Sequence, residues 1–108
     1  MELKLQTAYV RRCGPRTEYR GAVKDDGRPT TLHLTADALP ADFVCRVNGR
    51  TPAWDPAPAA GPVCTRAPVP PGEPVIELSL TADPAAAVRV WLSAEDGEWE
   101  SVYRHEAE

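Results

Sequence analysis

Phenylalanine and methionine each occur once in this 108-residue chain, histidine and lysine twice, and cysteine three times. Each scarcity narrows what the protein does. Two histidines, one of them three residues from the last position, leave little imidazole for acid–base or metal chemistry. GxSxG, HExxH, GxGxxG and P-loop patterns are all absent, which removes the common signatures of nucleophilic, zinc, dinucleotide and phosphate chemistry. Acid pairs such as Asp25-Asp26 and Glu95-Asp96 fall at turn tips, where carboxylates are simply solvated. Cys13, Cys45 and Cys64 are odd in number and lack a CxxC spacing, so free thiols are expected. The alternatives are a Cys45–Cys64 bridge, or a metal site recruiting His33 or His105. No apolar run approaches the roughly 20 residues of a membrane-spanning helix, and no amphipathic helical period or heptad is sustained. The opening Met1-Glu2-Leu3-Lys4-Leu5 alternates where a signal peptide would run apolar, so synthesis in the cytoplasm without a signal peptide is expected. Basic residues are outnumbered, with a net charge of −4, which argues against a general nucleic-acid or acidic-membrane binder.

What is present is a series of short alternating runs separated by turn residues. Leu3, Leu5 and Tyr9 fall in step along Glu2–Arg12, which Cys13-Gly14-Pro15 ends. Glu18–Lys24 places Tyr19, Gly21 and Val23 on one side. Thr30–Thr35 turns Leu32 and Leu34 inward, and with them His33 outward. Asp42–Asn48 carries Phe43, Cys45 and Val47 in phase, and Asn48-Gly49 is a hairpin-type turn leading into Arg50–Trp54. Val75–Leu80 carries Ile76, Leu78 and Leu80. Asp25–Pro29 has turn chemistry, and Asp83-Pro84 has the make-up of a helical N-cap followed by a first-turn proline. Proline is abundant and uneven: eight of the twelve lie between Thr51 and Pro74. Proline cannot donate to a sheet ladder, so 51–74 is expected to be a long loop or an edge segment, within which Val63–Arg66 has the make-up of a short edge strand. Trp54 sits in it, either capping the core edge or meeting a partner.

The run from Ala87 to His105 organises the rest. Asp96-Gly97 tolerates positive φ between two β-prone segments and predicts a hairpin. An even loop puts Val88, Val90, Leu92 and Ala94 on one face with Trp99, Ser101, Tyr103 and His105. Arg89, Arg104, Glu95, Glu98 and Glu100 fall on the other, with Trp91 and Val102 side by side among them. Arg89 opposite Arg104 is a like-charge pair that weakens an isolated hairpin. An exposed Trp and Val inside a charged rim has the composition of a protein interface, so Trp91, Val102, Arg89, Arg104 and Trp54 are the candidate interface residues.

Seven or eight short strands in one domain, 1–108, predict an all-β antiparallel sandwich. The stretch Ile76-x-Leu78-x-Leu80-Thr81-Ala82-Asp83-Pro84-Ala85-Ala86-Ala87-Val88-x-Val90 resembles the late strand, helical turn and strand of immunoglobulin-like domains. It departs from them in having Val90 and Leu92 where that family often has Tyr and Cys. A lone domain of this kind, with no active-site pattern, is similar in outline to small phage virion proteins such as capsid decoration and tail or baseplate subunits. The resemblance implies a non-catalytic structural module incorporated into a virion or comparable multi-protein assembly, with other protein subunits as partners, copies of itself included. A soluble binding module is the alternative, either an inhibitor of a host protein or a carbohydrate-binding sandwich. No cofactor, metal, nucleic acid or membrane is expected.

Overall fold

The computed structural model describes residues 4–24, 29–58, 61–70, 72–81, 85–94, 97 and 99–106. Eight strands account for most of them: β1 (Lys4–Cys13), β2 (Arg16–Lys24), β3 (Thr30–Ala36), β4 (Val44–Val47), β5 (Val63–Val69), β6 (Val75–Thr81), β7 (Val88–Ala94) and β8 (Trp99–His105). They form two four-stranded antiparallel sheets, β1-β2-β6-β4 and β5-β3-β7-β8. The strict alternation of β3, β6 and β7 turns Leu32, Leu34, Ile76, Leu78, Leu80, Val88, Val90 and Leu92 into one core shared by both sheets, as a sandwich requires. Tyr19, Val23, Cys45 and Val47 join them from β2 and β4, and Phe43 packs against the cluster part-buried. The radius of gyration, 13.3 Å, is that of one domain of this length.

The turns follow from their residues. Gly14, at φ +62°, opens the two-residue link that pairs Cys13 with Arg16. Asn48 and Gly49 both take positive φ, and Val47 bridges Arg50 across them. The Asn48 side chain also accepts the Val75 N–H at 2.9 Å, pinning this turn to β6. At the opposite end Asp42 accepts both the N–H and the hydroxyl of Thr81, at 3.0 and 2.6 Å. The expected turn at Asp25-Asp26-Gly27-Arg28, the helical cap at Asp83-Pro84, and the side chains of Leu3 and Leu5 lie outside the described residues.

The proline-rich region 51–74 holds the edge strand expected at Val63–Arg66, but a longer one. Its second half is a full seven-residue strand, β5, with Val63, Thr65, Ala67 and Val69 inward and Cys64, Arg66 and Pro68 outward. Proline fits because β5 is an edge strand that, among the described residues, has β3 as its single strand partner. Among its described residues the first half, expected to continue as Arg50–Trp54, forms no strand. It crosses from β4 to β5, where the Asp55 N–H donates to the Arg66 carbonyl at 2.9 Å and so covers part of that edge. Because β1 comes against β8, β4 and β5 share the other side of the sandwich, and Trp54 packs on the core there.

Candidate functional site

Outward residues of the second sheet fall into three rows set by the register. Arg66, His33, Trp91 and Ser101 form the middle row. Cys64, Thr35, Arg89 and Arg104 flank it on one side, and Pro68, Thr31, Ser93 and Trp99 on the other. His33 and Trp91, cross-strand neighbours, stack with ring centroids 4.9 Å apart and planes 7° apart. That spacing equals the distance between strands, so both rings stand upright on the sheet. One face of Trp91 is therefore taken by His33, and its other face looks towards β8. His33 Nε2 is tied to the Ser93 hydroxyl by a hydrogen bond at 2.7 Å. Its pKa is lowered, first by burial and then by the Arg66 guanidinium.

The expected hairpin register holds only at one end. Val88 pairs with His105, Arg89 with Arg104 and Val90 with Tyr103, but the next pair is Trp91 with Ser101. Val102 is the extra residue of a β-bulge, and this overturns its predicted outward position. It is 9% exposed and belongs to the core. Beyond the bulge every side chain of β8 changes face, so Trp99, expected inside, stands outside at 66% exposure. On the β8 side Trp91 therefore shares its slot with Trp99, one row away on the diagonal, and Val102 leaves the candidate set. Trp54 leaves the face too, lying part-buried against the core at the β4–β5 side. Arg89 and Arg104 remain where the sequence placed them.

The like-charge flaw between these arginines is resolved by Glu106, one residue past β8. The Arg89 guanidinium donates to both of its carboxylate oxygens at 3.1 Å, and Arg104 Nε donates to Oε1. These bonds, Arg89's first, hold the Glu106 carboxyl below the usual carboxylate range. Between Trp91 and β8 lies a shallow slot of about 510 Å³, lined by Trp91, Trp99, Ser101, Thr35 and the two arginines. A second depression of about 340 Å³ shares Thr35 and Arg89 with it and reaches Glu106 and Asp37.

The Ser93–His33 pair has the geometry of two members of a hydrolytic triad, but its surroundings oppose that chemistry. The charged neighbour of His33 is a guanidinium, which disfavours the imidazolium a general base must form. Ser93 and His33 also lie on β7 and β3, the two inner strands of their sheet, whose backbone amides are used by ladders on both sides. Among the described residues no group of three or more His, Cys, Asp or Glu side chains could hold a metal ion. Cys45 and Cys64 are free thiols. They lie on different sheets, and burial pushes the Cys45 thiol up to about 12. On the first sheet a depression of about 230 Å³ is lined by Tyr9, Val44, Glu18, Arg46 and Glu77. Sequence reasoning missed Trp99 and Glu106. An aromatic between two glutamates at Glu98-Trp99-Glu100 was the available signal for the first. Compared with known proteins, the chain matches no family model, no curated protein and no solved structure.

Proposed function

We propose that the chain is a non-catalytic interaction module that joins a multi-protein assembly through the outer face of its second sheet. Trp99 is the observation that carries this: a large indole left two-thirds in water on β8, lining one slot together with Trp91, Arg89 and Arg104. Trp and Arg are the residue types that dominate binding energy at protein interfaces, and they do so where a slot lets the partner exclude water.

We read the sandwich as immunoglobulin-like. In support, β1, β2 and β6 against β3, β7 and β8 reproduce the partition of strands A, B and E from C, F and G. The departure lies in the middle of the chain. β4 takes the place of strand D beside β6, and β5 takes the place of C′ beside β3, in the reverse of their usual order along the sequence. Small virion subunits, such as capsid decoration or tail and baseplate proteins, are the assembly class we favour. That choice rests on outline, a small sandwich that exposes two tryptophans on one sheet face.

Copy number tests the function. In particles purified from the native source, the chain should be present in multiple copies, and Trp99→Ala should abolish incorporation while leaving the melting temperature of the purified protein unchanged. A monomer absent from every sedimenting particle would contradict the proposal.

A further inference from the structure

We propose that the slot between Trp91 and β8 takes an acidic segment of a partner protein. A partner carboxylate replaces Glu106 on Arg89 and Arg104, and the apolar residue next to it covers Trp91 and Trp99. The inference rests on the docking face proposed above and names its occupant.

Charge is the first ground. Among the described residues the face carries Arg66, Arg89 and Arg104 against Glu106, with Asp37 further off at the end of the adjoining depression, in a chain whose overall charge is −4. Two copies meeting through this face would set the same arginines against each other, so the charge pattern favours an acidic partner over self-pairing. The second ground is Glu106 itself. It shows that a carboxylate on a peptide chain fits the arginine pair, with two oxygens on Arg89 and one shared with Arg104. Arg89 reaches both oxygens through Nη2 alone, so the carboxylate is held without the two-nitrogen fork that gives the tightest guanidinium pairs. The three side chains are each half or more exposed, and exposed ion pairs are held weakly, so Glu106 is a replaceable occupant.

Space is the third ground. The slot beside Trp91 and the depression beyond Glu106 meet at Thr35 and Arg89. When Glu106 swings away, the two become one trough running from Trp99 past the arginines. Asp37, at the far end, accepts the Ala87 N–H at 3.0 Å and keeps its charge, so the partner's carboxylate belongs at the arginine end of the trough. Trp91 offers its open ring face along the trough, which suits an apolar or aromatic side chain adjoining the acid.

The test uses a blocked tetrapeptide, EYEE, titrated into the full chain while the indole N–H resonances of the three tryptophans are followed by NMR. Saturable shifts at Trp91 and Trp99, none at Trp54, and a millimolar Kd are expected. Glu106→Gln should tighten binding about threefold, the scale of one exposed ion pair. Arg89→Gln combined with Arg104→Gln should abolish it, in a protein whose spectrum shows it folded. The control peptide KYKK should produce no shift.

No saturable shift up to about 10 mM, equal binding of KYKK, or an unchanged Kd in Glu106→Gln would each overturn the proposal. Shifts induced by a sulfated oligosaccharide or anionic vesicles, but not by EYEE, would overturn it as well. If Trp99→Ala blocks incorporation into particles while EYEE fails to bind, the docking face stands and the acidic occupant falls. If neither effect is seen, both fall.

Discussion

A methyl group added at Gly21 would collide with the hydroxyl and ring carbons of Tyr19, whose ring folds back over that position on the inner face of β2. The sequence placed Tyr19, Gly21 and Val23 on one side, but the reason for a glycine there needed the ring's direction. Gly21→Ala should therefore destabilise the fold by about 1–3 kcal/mol, read as a lower urea midpoint with an unchanged slope. A neutral substitution would mean that Tyr19 moves aside freely. Asp42 is a second residue whose role appears only in three dimensions, since alternation took it as the start of a strand. Its carboxylate caps Thr81 on β6, and those hydrogen bonds, with a smaller contribution from Arg16, hold its pKa below the ordinary 3.8. A carboxyl with a lower pKa in the folded state adds stability that is present above its unfolded value and lost as pH falls through the folded one. Wild type should lose stability below about pH 4 more steeply than Asp42→Asn. Parallel urea-midpoint curves for the two proteins from pH 6 to pH 2 would show that the Thr81 cap does not act through charge.

At the scale of the strand, β8 shows where a period-two reading stops working. Its register against β7 was legible from His105 back to Tyr103, because apolar residues there keep strict alternation. Val102 and Tyr103 are adjacent and both apolar, and a regular strand must expose one of them. The bulge turns both towards the core, gives up one place in the ladder, and reverses Trp99 and Ser101. No count of alternating residues represents an extra one. Composition hid the full length of β5 in a different way: its inward Val63, Thr65, Ala67 and Val69 alternate cleanly, but prolines on both sides made the segment read as a loop or a short edge strand. The bulge carries a test. Val102→Ala should cost about 1–2 kcal/mol of stability, and Trp99→Ala less than about 0.5 kcal/mol, by urea denaturation. The opposite order would restore the regular hairpin, with Trp99 inside and Val102 outside.

Over the whole molecule, the arrangement of edges bears on how it meets partners. β1 carries a bulge at Ala8 and β8 one at Val102, β4 is only four residues long, and β5 carries Pro68 and is bridged by Asp55. These are the devices that discourage strand-to-strand addition, which leaves the sheet faces as the surfaces available for association. The all-β class and the inner residues of β2, β3, β4, β6 and β7 could be read from the sequence, because each of these strands keeps its apolar positions in phase. The partition into two sheets could not, since it depends on which side the proline-rich crossing takes after Gly49. Of the candidate surface, Trp91, Arg89 and Arg104 were legible. Trp99 and Glu106 were not, because one depends on the bulge and the other on a residue beyond the last strand. The two faces differ in kind. The first sheet also exposes apolar side chains, Tyr9, Val10 and Val44, but sets Tyr9 and Val44 beside Glu18, Arg46 and Glu77. Comparing the faces within one experiment gives the sharpest test: incorporation of Trp99→Ala and Val44→Ala proteins into purified particles, each checked for an unchanged urea midpoint. If the second sheet is the docking face, Trp99→Ala is lost from the particles and Val44→Ala is retained at wild-type copy number; retention of Trp99→Ala with loss of Val44→Ala would contradict it.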